Sequence, residues 1–228
     1  MTYDLLIGDR SYSSWSLRGW LLFAAFDLPV RTHLARMYDP GFVLALRDYA
    51  PARTVPTVRM PDGAVWTDSI AIAEGLAEAH PDAGHWPRDP RPRALARSLV
   101  AEMHSGFTAL RAACPMNLRV AWDGFVPDDA VRADLDRLDR LWGLARETAT
   151  DDGPWLFGAY TAADAFYAPV AMRIAGYDLP ATPTMRSYVD AHLAHAPLRE
   201  WRAEGEAADR TLDVYDMGLL TKPFPMGA

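Results

Sequence analysis

The sequence predicts an α/β half followed by an all-α half. Over the first 80 residues short strand-like runs alternate with helix-like ones, residues 81–93 form a proline-rich break, and helical periodicity dominates beyond it. Residues 3–8 (YDLLIG) read as a strand, and residues 15–26 (WSLRGWLLFAAF) as a buried helix ended by Asp27-Leu28-Pro29. Residues 30–36 (VRTHLAR) alternate apolar and polar, as a second strand does, and residues 41–49 form a short helix. Residues 57–60 and 64–67 flank Pro61-Asp62-Gly63, whose turn chemistry makes the pair a hairpin. Ser69 to His80 is a helix stopped by Pro81. This order, β-α-β-α-β-β-α, implies a small mixed sheet with helices on both faces.

The break (PDAGHWPRDPRPR) contains four prolines and reads as a linker. After it, residues 92–113 and 128–149 are helical, and Leu135, Leu138, Leu141, Trp142 and Ala145 make one stripe of the second. Residues 161–175, 183–195 and 197–208 are further helices, and the last twenty residues form a tail packed over the surface. The expected division is residues 1–81, a linker at 82–93, and a helical domain with a C-terminal tail at 94–228.

Half of the 228 residues are apolar, enough for a sizeable core. Net charge is −7 and the only lysine is Lys222, so no basic stripe invites nucleic acid. No apolar run is long enough to span a bilayer. The N-terminus lacks a basic stretch followed by an apolar core, so secretion is not expected. Cys114 is the one cysteine, which rules out an intrachain disulfide and a cysteine-based metal cluster. A cytoplasmic protein without a metal is the expectation.

Four segments carry candidate chemistry. In residues 9–20 (DRSYSSWSLRGW) a serine-rich turn stands at the start of the first helix. Helix N-termini are electropositive and present free N–H donors, so an anion is stabilised there; the same serines also suit an ordinary N-cap. Arg18 lies inside that helix, where it can pair with a carboxylate or support the turn. Val55-Pro56 precedes a strand, and a cis bond there would turn the Val55 backbone toward a bound peptide. Asp68-Ser69 stands where the hairpin meets a helix; Asp68 can hold an ammonium and Ser69 a carboxylate, or the pair can simply cap. Thr161 and Asp164 are spaced as a capping box, a structural role.

In this order these segments resemble the glutathione S-transferase family over nearly the whole chain. The turn Ser13-Ser14-Trp15-Ser16-Leu17-Arg18 is most similar to the zeta, or maleylacetoacetate isomerase-like, type, with Trp15 where that type has cysteine. The resemblance implies a thioredoxin-like N-terminal domain, an all-helical C-terminal one and a homodimer. It implies glutathione as co-substrate, bound by Ser13, Ser14, Trp15, Val55, Pro56, Asp68 and Ser69. By the zeta-like alignment Ser13 holds the thiolate, with Ser14 the alternative. The implied activity is attack on a small hydrophobic or anionic electrophile; cis-trans isomerisation of the maleylacetoacetate or maleylpyruvate type, and a non-catalytic binding module, are the alternatives. The absence of cysteine from the turn argues against thiol-transferase chemistry. The arginine that zeta isomerases place twelve residues after the capping-box Asp is absent: Gly176 stands there, with Arg173 nearby. Electrophile-pocket candidates by position are Tyr12, Tyr38, Met103, His104, Phe107, Leu110 and Arg111.

The energetics are feasible. A free thiol with pKa near 8.5 is about 3% thiolate at pH 7, and lowering that pKa by two units requires about 2.7 kcal/mol. One charge-assisted hydrogen bond supplies about 1.5–3 kcal/mol. A serine hydroxyl at a helix N-terminus is sufficient without acting as a base.

Overall fold

The structure, a computed structural model, describes residues 2–149, 151–208 and 210–225. Strand β1 (Tyr3–Ile7) is parallel to β2 (Val30–Leu34) and antiparallel to β3 (Thr57–Arg59), which pairs with β4 (Val65–Trp66). The order β2-β1-β3-β4 makes β1 an interior strand, and Leu5, Leu6 and Ile7 are buried as an unbroken apolar run. Alternation then sends Leu5 and Ile7 to one face and Leu6 to the other. The first face packs with α1 (Ser14–Ala24) and α3 (Ser69–Ala79) through Leu17, Leu21, Ile72 and Leu76. Leu6 instead joins Ala35, Leu46 and Tyr49, beneath α2 (Phe42–Ala45) and a 3-10 turn at Arg47–Tyr49.

The Val55–Pro56 peptide is cis. Pro56 lies directly against α1 at Gly19, where a Cβ would stand 2.6 Å from the Pro56 Cβ. Glycine at this position lets the loop before β3 close on the first helix, and so sets the walls of the site described below.

The remaining helices are α4 (Pro90–Ser105), α5 (Thr108–Ala113), α6 (Asp129–Glu147), α7 (Ala162–Gly176), α8 (Pro183–Ala194) and α9 (Ala196–Ala207). Part of the proline-rich segment is helix: Asp89 caps α4 by accepting from Arg91 N, and Pro90 occupies its first turn, where a missing N–H costs nothing. The helix expected over 92–113 is two. Its first part closes with Gly106 N bonded to Glu102 O, and Phe107 then takes a left-handed conformation (φ 54°) that redirects α5.

Helix α7 is the axis of this half. It is apolar on all sides and buried along almost its whole length, packed by α1, α4 and α8. Its first turn is organised by Asp164, which is fully buried and accepts from Leu156 N (3.0 Å), Thr161 N (2.8 Å), Thr161 Oγ1 (3.0 Å) and Tyr188 Oη (2.9 Å).

The helical half also carries a two-stranded ribbon. β5 (Val120–Asp123) pairs antiparallel with β6 (Leu220–Pro223), so the C-terminal segment is fastened by ladder bonds rather than only laid over the surface. Among the described residues no helix is long and apolar enough to cross a membrane.

Candidate active site

Two clefts meet at Trp15. The first is lined by Trp15, Thr54, Val55, Pro56, Thr67, Asp68, Ser69 and His104. It gathers the Trp15, Val55-Pro56 and Asp68-Ser69 segments that the sequence singled out separately. The second is lined by Tyr12, Ser14, Trp15, Arg111, Met116, Arg173, Tyr215 and neighbours. Trp15, in the first turn of α1, is therefore the wall common to both.

Asp68 caps α3 by accepting from Ile70 N at 2.7 Å, and its other oxygen lies 3.5 Å from His104 Nε2. The cap thus leaves one carboxylate oxygen turned toward the cleft side, available to an ammonium. Ser69 is buried, lines the same cleft, and its Oγ has no hydrogen-bond partner. An orphaned hydroxyl at the start of α3 fits a ligand carboxylate, because a helix N-terminus favours an anion.

The two serines of the first turn have different work. Ser13 is the N-cap of α1: its Oγ accepts from Ser16 N (3.3 Å) and donates to Ser16 Oγ (2.8 Å), which also accepts from Gly8 N (2.8 Å). Ser13 is buried and its proton is committed inward, so the geometry turns the expected donor role away from it. Ser14, the first residue of α1, faces the second cleft, with its Oγ 3.5 Å from Arg173 Nη2.

Three arginines surround this point. Arg18 lies with its guanidinium 4.3 Å from the Trp15 ring centre, and Arg111 lies 4.9 Å from it. Arg173 donates to Cys114 O and Pro169 O; burial, then the nearby Arg111, lowers its pKa to about 10, so it remains charged at neutral pH. No acidic residue lines the second cleft among the described residues.

The electrophile-pocket candidates are divided by the structure. Met103, Phe107 and Leu110 are core residues, not lining residues, because α4 and α5 turn those faces toward the packed interior. His104 lines the first cleft rather than the second. Tyr38 is largely exposed, its ring 6.4 Å from that of Tyr215 and outside both clefts. Tyr12 lines the second cleft, but its hydroxyl is engaged by Arg210 O and Leu212 N. Arg111 lines it as expected by position. Tyr215 does so without any local signal: it comes from the tail, some two hundred residues from the turn it covers, and rests 4.8 Å from the Tyr12 ring.

Cys114 is buried, and desolvation pushes its thiol up to about 12. At pH 7.5 it holds almost no thiolate and is inert as a nucleophile. An aromatic disulfide reagent is expected to leave it unmodified in the native protein and to titrate one thiol after unfolding in guanidinium; rapid native reaction would contradict this.

Comparison with known proteins bears on the fold that carries these clefts. Residues 12–79 match the family described as glutathione S-transferase, N-terminal domain. A protein of Caenorhabditis elegans named probable maleylacetoacetate isomerase is 37% identical over 101 residues, which is 44% of this chain and 46% of that protein. The match therefore spans about half the length of that relative. A glutathione transferase homologue from Burkholderia GL BGR1, solved with bound glutathione, superposes with a TM-score of 0.67 at 23% identity, covering 92% of this chain and all of that one. Glutathione transferase Omega 2S from Trametes versicolor, in complex with 2,4-dihydroxybenzophenone, gives 0.68 at 17% identity, covering 91% and 96%. The mixed sheet, the helical half folded over it and these superpositions show that this chain has the fold of the glutathione transferases, and residues 12–79 of it match their N-terminal domain.

Proposed function

We propose that the protein is a glutathione transferase. It binds glutathione along the cleft of Trp15, Val55, Pro56, Asp68 and Ser69 and presents the thiolate at the N-terminus of α1. The observation that carries this reading is the meeting of the two clefts at Trp15, next to Ser14 in the second. A tripeptide laid in the first, with its ammonium toward Asp68 and a carboxylate toward Ser69 Oγ, reaches the helix end where an anion is stabilised. Neighbours solved with bound glutathione support the choice of ligand. Ser14 donates to the sulfur, and the second cleft receives the electrophile. No base is required of the protein: lowering the thiol pKa lets the proton leave to solvent.

A second reading has an observation of its own. Arg111 and Arg173 face the second cleft without an acidic partner there, which suits an electrophile bearing carboxylate, and the C. elegans relative is named an isomerase. Glutathione-dependent cis-trans isomerisation of a small unsaturated acid is the form that reading takes. The two reactions separate by thiol balance, since conjugation consumes free glutathione and isomerisation returns it. A cytoplasmic homodimer completes the proposal.

Calorimetric titration with glutathione is the test. Binding in the micromolar to millimolar range is expected, whereas no heat at millimolar ligand overturns the proposal and leaves a glutathione transferase-like binding module.

A further inference from the structure

Arg18 is a fully buried cation with no anionic partner among the described residues. It sits one helical turn inside α1 from Ser14, and only its Nε is bonded, to Phe166 O at 2.9 Å. Both terminal nitrogens, Nη1 and Nη2, are buried without partners. Its guanidinium lies against two aromatic rings, 4.3 Å from the centre of Trp15 and 5.9 Å from that of Phe166.

Such a placement is costly unless it serves something. An unpaired buried charge is among the least stable arrangements in a protein, and arginine does not escape it by losing its proton. Burial opposes this charge most, and Arg173 and Arg111 oppose it further. The groups around the first turn offer little relief. Arg111 from α5 and Arg173 from α7 are like-charged, while Tyr12, Tyr167 and Tyr215 are neutral phenols. The carboxylate of Asp68 lines the first cleft, 3.5 Å from His104 Nε2, and makes no ion pair with Arg18. Asp164, in the first turn of α7, is enclosed by its own four donors.

Side chains on a helix lean toward its N-terminus, so Arg18 projects back along α1 to Trp15, the residue that walls both clefts, with its guanidinium 4.3 Å from the ring centre. The charge therefore adds to the positive end of the helix at the place where a sulfur would rest. We infer that Arg18 is a positioning residue for the thiolate: its buried, unpaired guanidinium acts through the Trp15 ring to stabilise negative charge at the N-terminus of α1. It does not touch the ligand. Ser14 supplies the direct hydrogen bond and Arg18 the background potential, which low-dielectric surroundings leave poorly screened.

The inference rests on reading the first cleft as a glutathione site, and the experiment separates the two. S-methylglutathione is titrated first; if it does not bind, the site reading and this inference fall together. If it binds, the thiol pKa of bound glutathione is measured from the ultraviolet thiolate band in the wild type, Arg18→Met and Arg18→Lys. Arg18→Met is expected to raise it by about one unit, a tenfold fall in thiolate fraction below the pKa, because the cation that favours the anion is gone. Arg18→Lys, which keeps the charge and loses the Nε bond to Phe166 O, is expected to stay near the wild-type value. The melting temperature of Arg18→Met is expected to hold or rise, the reverse of what a purely structural arginine gives. An unchanged pKa in folded Arg18→Met overturns the inference, as does an equal rise in both variants. The unaltered protein gives an independent check: glutathione sulfonate, a permanent anion at the sulfur position, should bind at least about tenfold tighter than S-methylglutathione, and equal affinities overturn the inference without any variant.

Discussion

Asp164→Ala is expected to destabilise the protein by about 3–5 kcal/mol. Four buried donors converge on this carboxylate: Leu156 N, Thr161 N, Thr161 Oγ1 and Tyr188 Oη. Removing it strands all four in a site without solvent, and each orphaned donor costs about 1–3 kcal/mol before relaxation and water entry recover part. The loss reaches beyond one helix end. Leu156 belongs to the segment before α7, Tyr188 to α8, and α7 itself packs α1, so the network ties the axis of the helical half to its neighbours. The pH dependence has a definite sign. Burial raises the Asp164 pKa to about 6 from an ordinary 3.8, against the pull of its four donors. The folded state then holds the proton longer than the unfolded one, so this group's contribution falls as pH rises from 3.8 through 6, by up to about 3 kcal/mol. Asp164→Asn abolishes that slope. Urea unfolding of wild type and both variants between pH 4 and 8 checks both points; an Ala variant within 1 kcal/mol of wild type would falsify the account.

The sequence already placed this box, because Thr161 and Asp164 are three residues apart and the signal is local. Its depth was not legible: a spacing fixes which groups can meet, and the burial that makes the meeting costly comes from elements outside the box, among them Tyr188 of α8, the next helix. The same division runs through the candidate site. Val55-Pro56 and Asp68-Ser69 are read from neighbours in the chain, and folding brings both to one cleft with Trp15. The serine turn reads as a cap that can also face an anion; Ser13 is that cap, and the allotment between Ser13 and Ser14 required the helix start: the cap side chain turns back to Ser16, and the next residue is free to face outward. Met103 and Phe107 were placed by sequence position alone, and helix phase with the left-handed Phe107 sends them inward. The β5–β6 pairing and Tyr215 carried no local signal at all, since each depends on contacts spanning about a hundred residues or more.

Ser14→Ala is expected to raise the pKa of bound glutathione by about 1–2 units, the equivalent of one charge-assisted hydrogen bond of about 1.5–3 kcal/mol. Deleting a donor to an anion favours the protonated thiol, so the sign is upward. Turnover at pH 6.5 should fall about 10- to 100-fold, and the deficit should shrink as pH rises past about 8.5, where the thiol ionises without help. Affinity for S-methylglutathione, which carries no thiolate, should change little. Ser13→Ala is the counterpart that gives the result its meaning. Its hydroxyl closes the chain of bonds from Ser13 to Ser16 to Gly8 at the start of α1, so its loss should cost about 1 kcal/mol of stability while the bound thiol keeps nearly its wild-type pKa. The reverse pattern, with Ser13→Ala moving the thiol and Ser14→Ala leaving it, would return the donor role to the cap and require the Ser13 side chain to rotate out of its bond to Ser16 when glutathione binds. The pair of pH profiles therefore decides whether the serine that organises the helix also handles the sulfur, or whether Ser13, bonded to Ser16, builds the end of the helix and Ser14 uses it, as proposed.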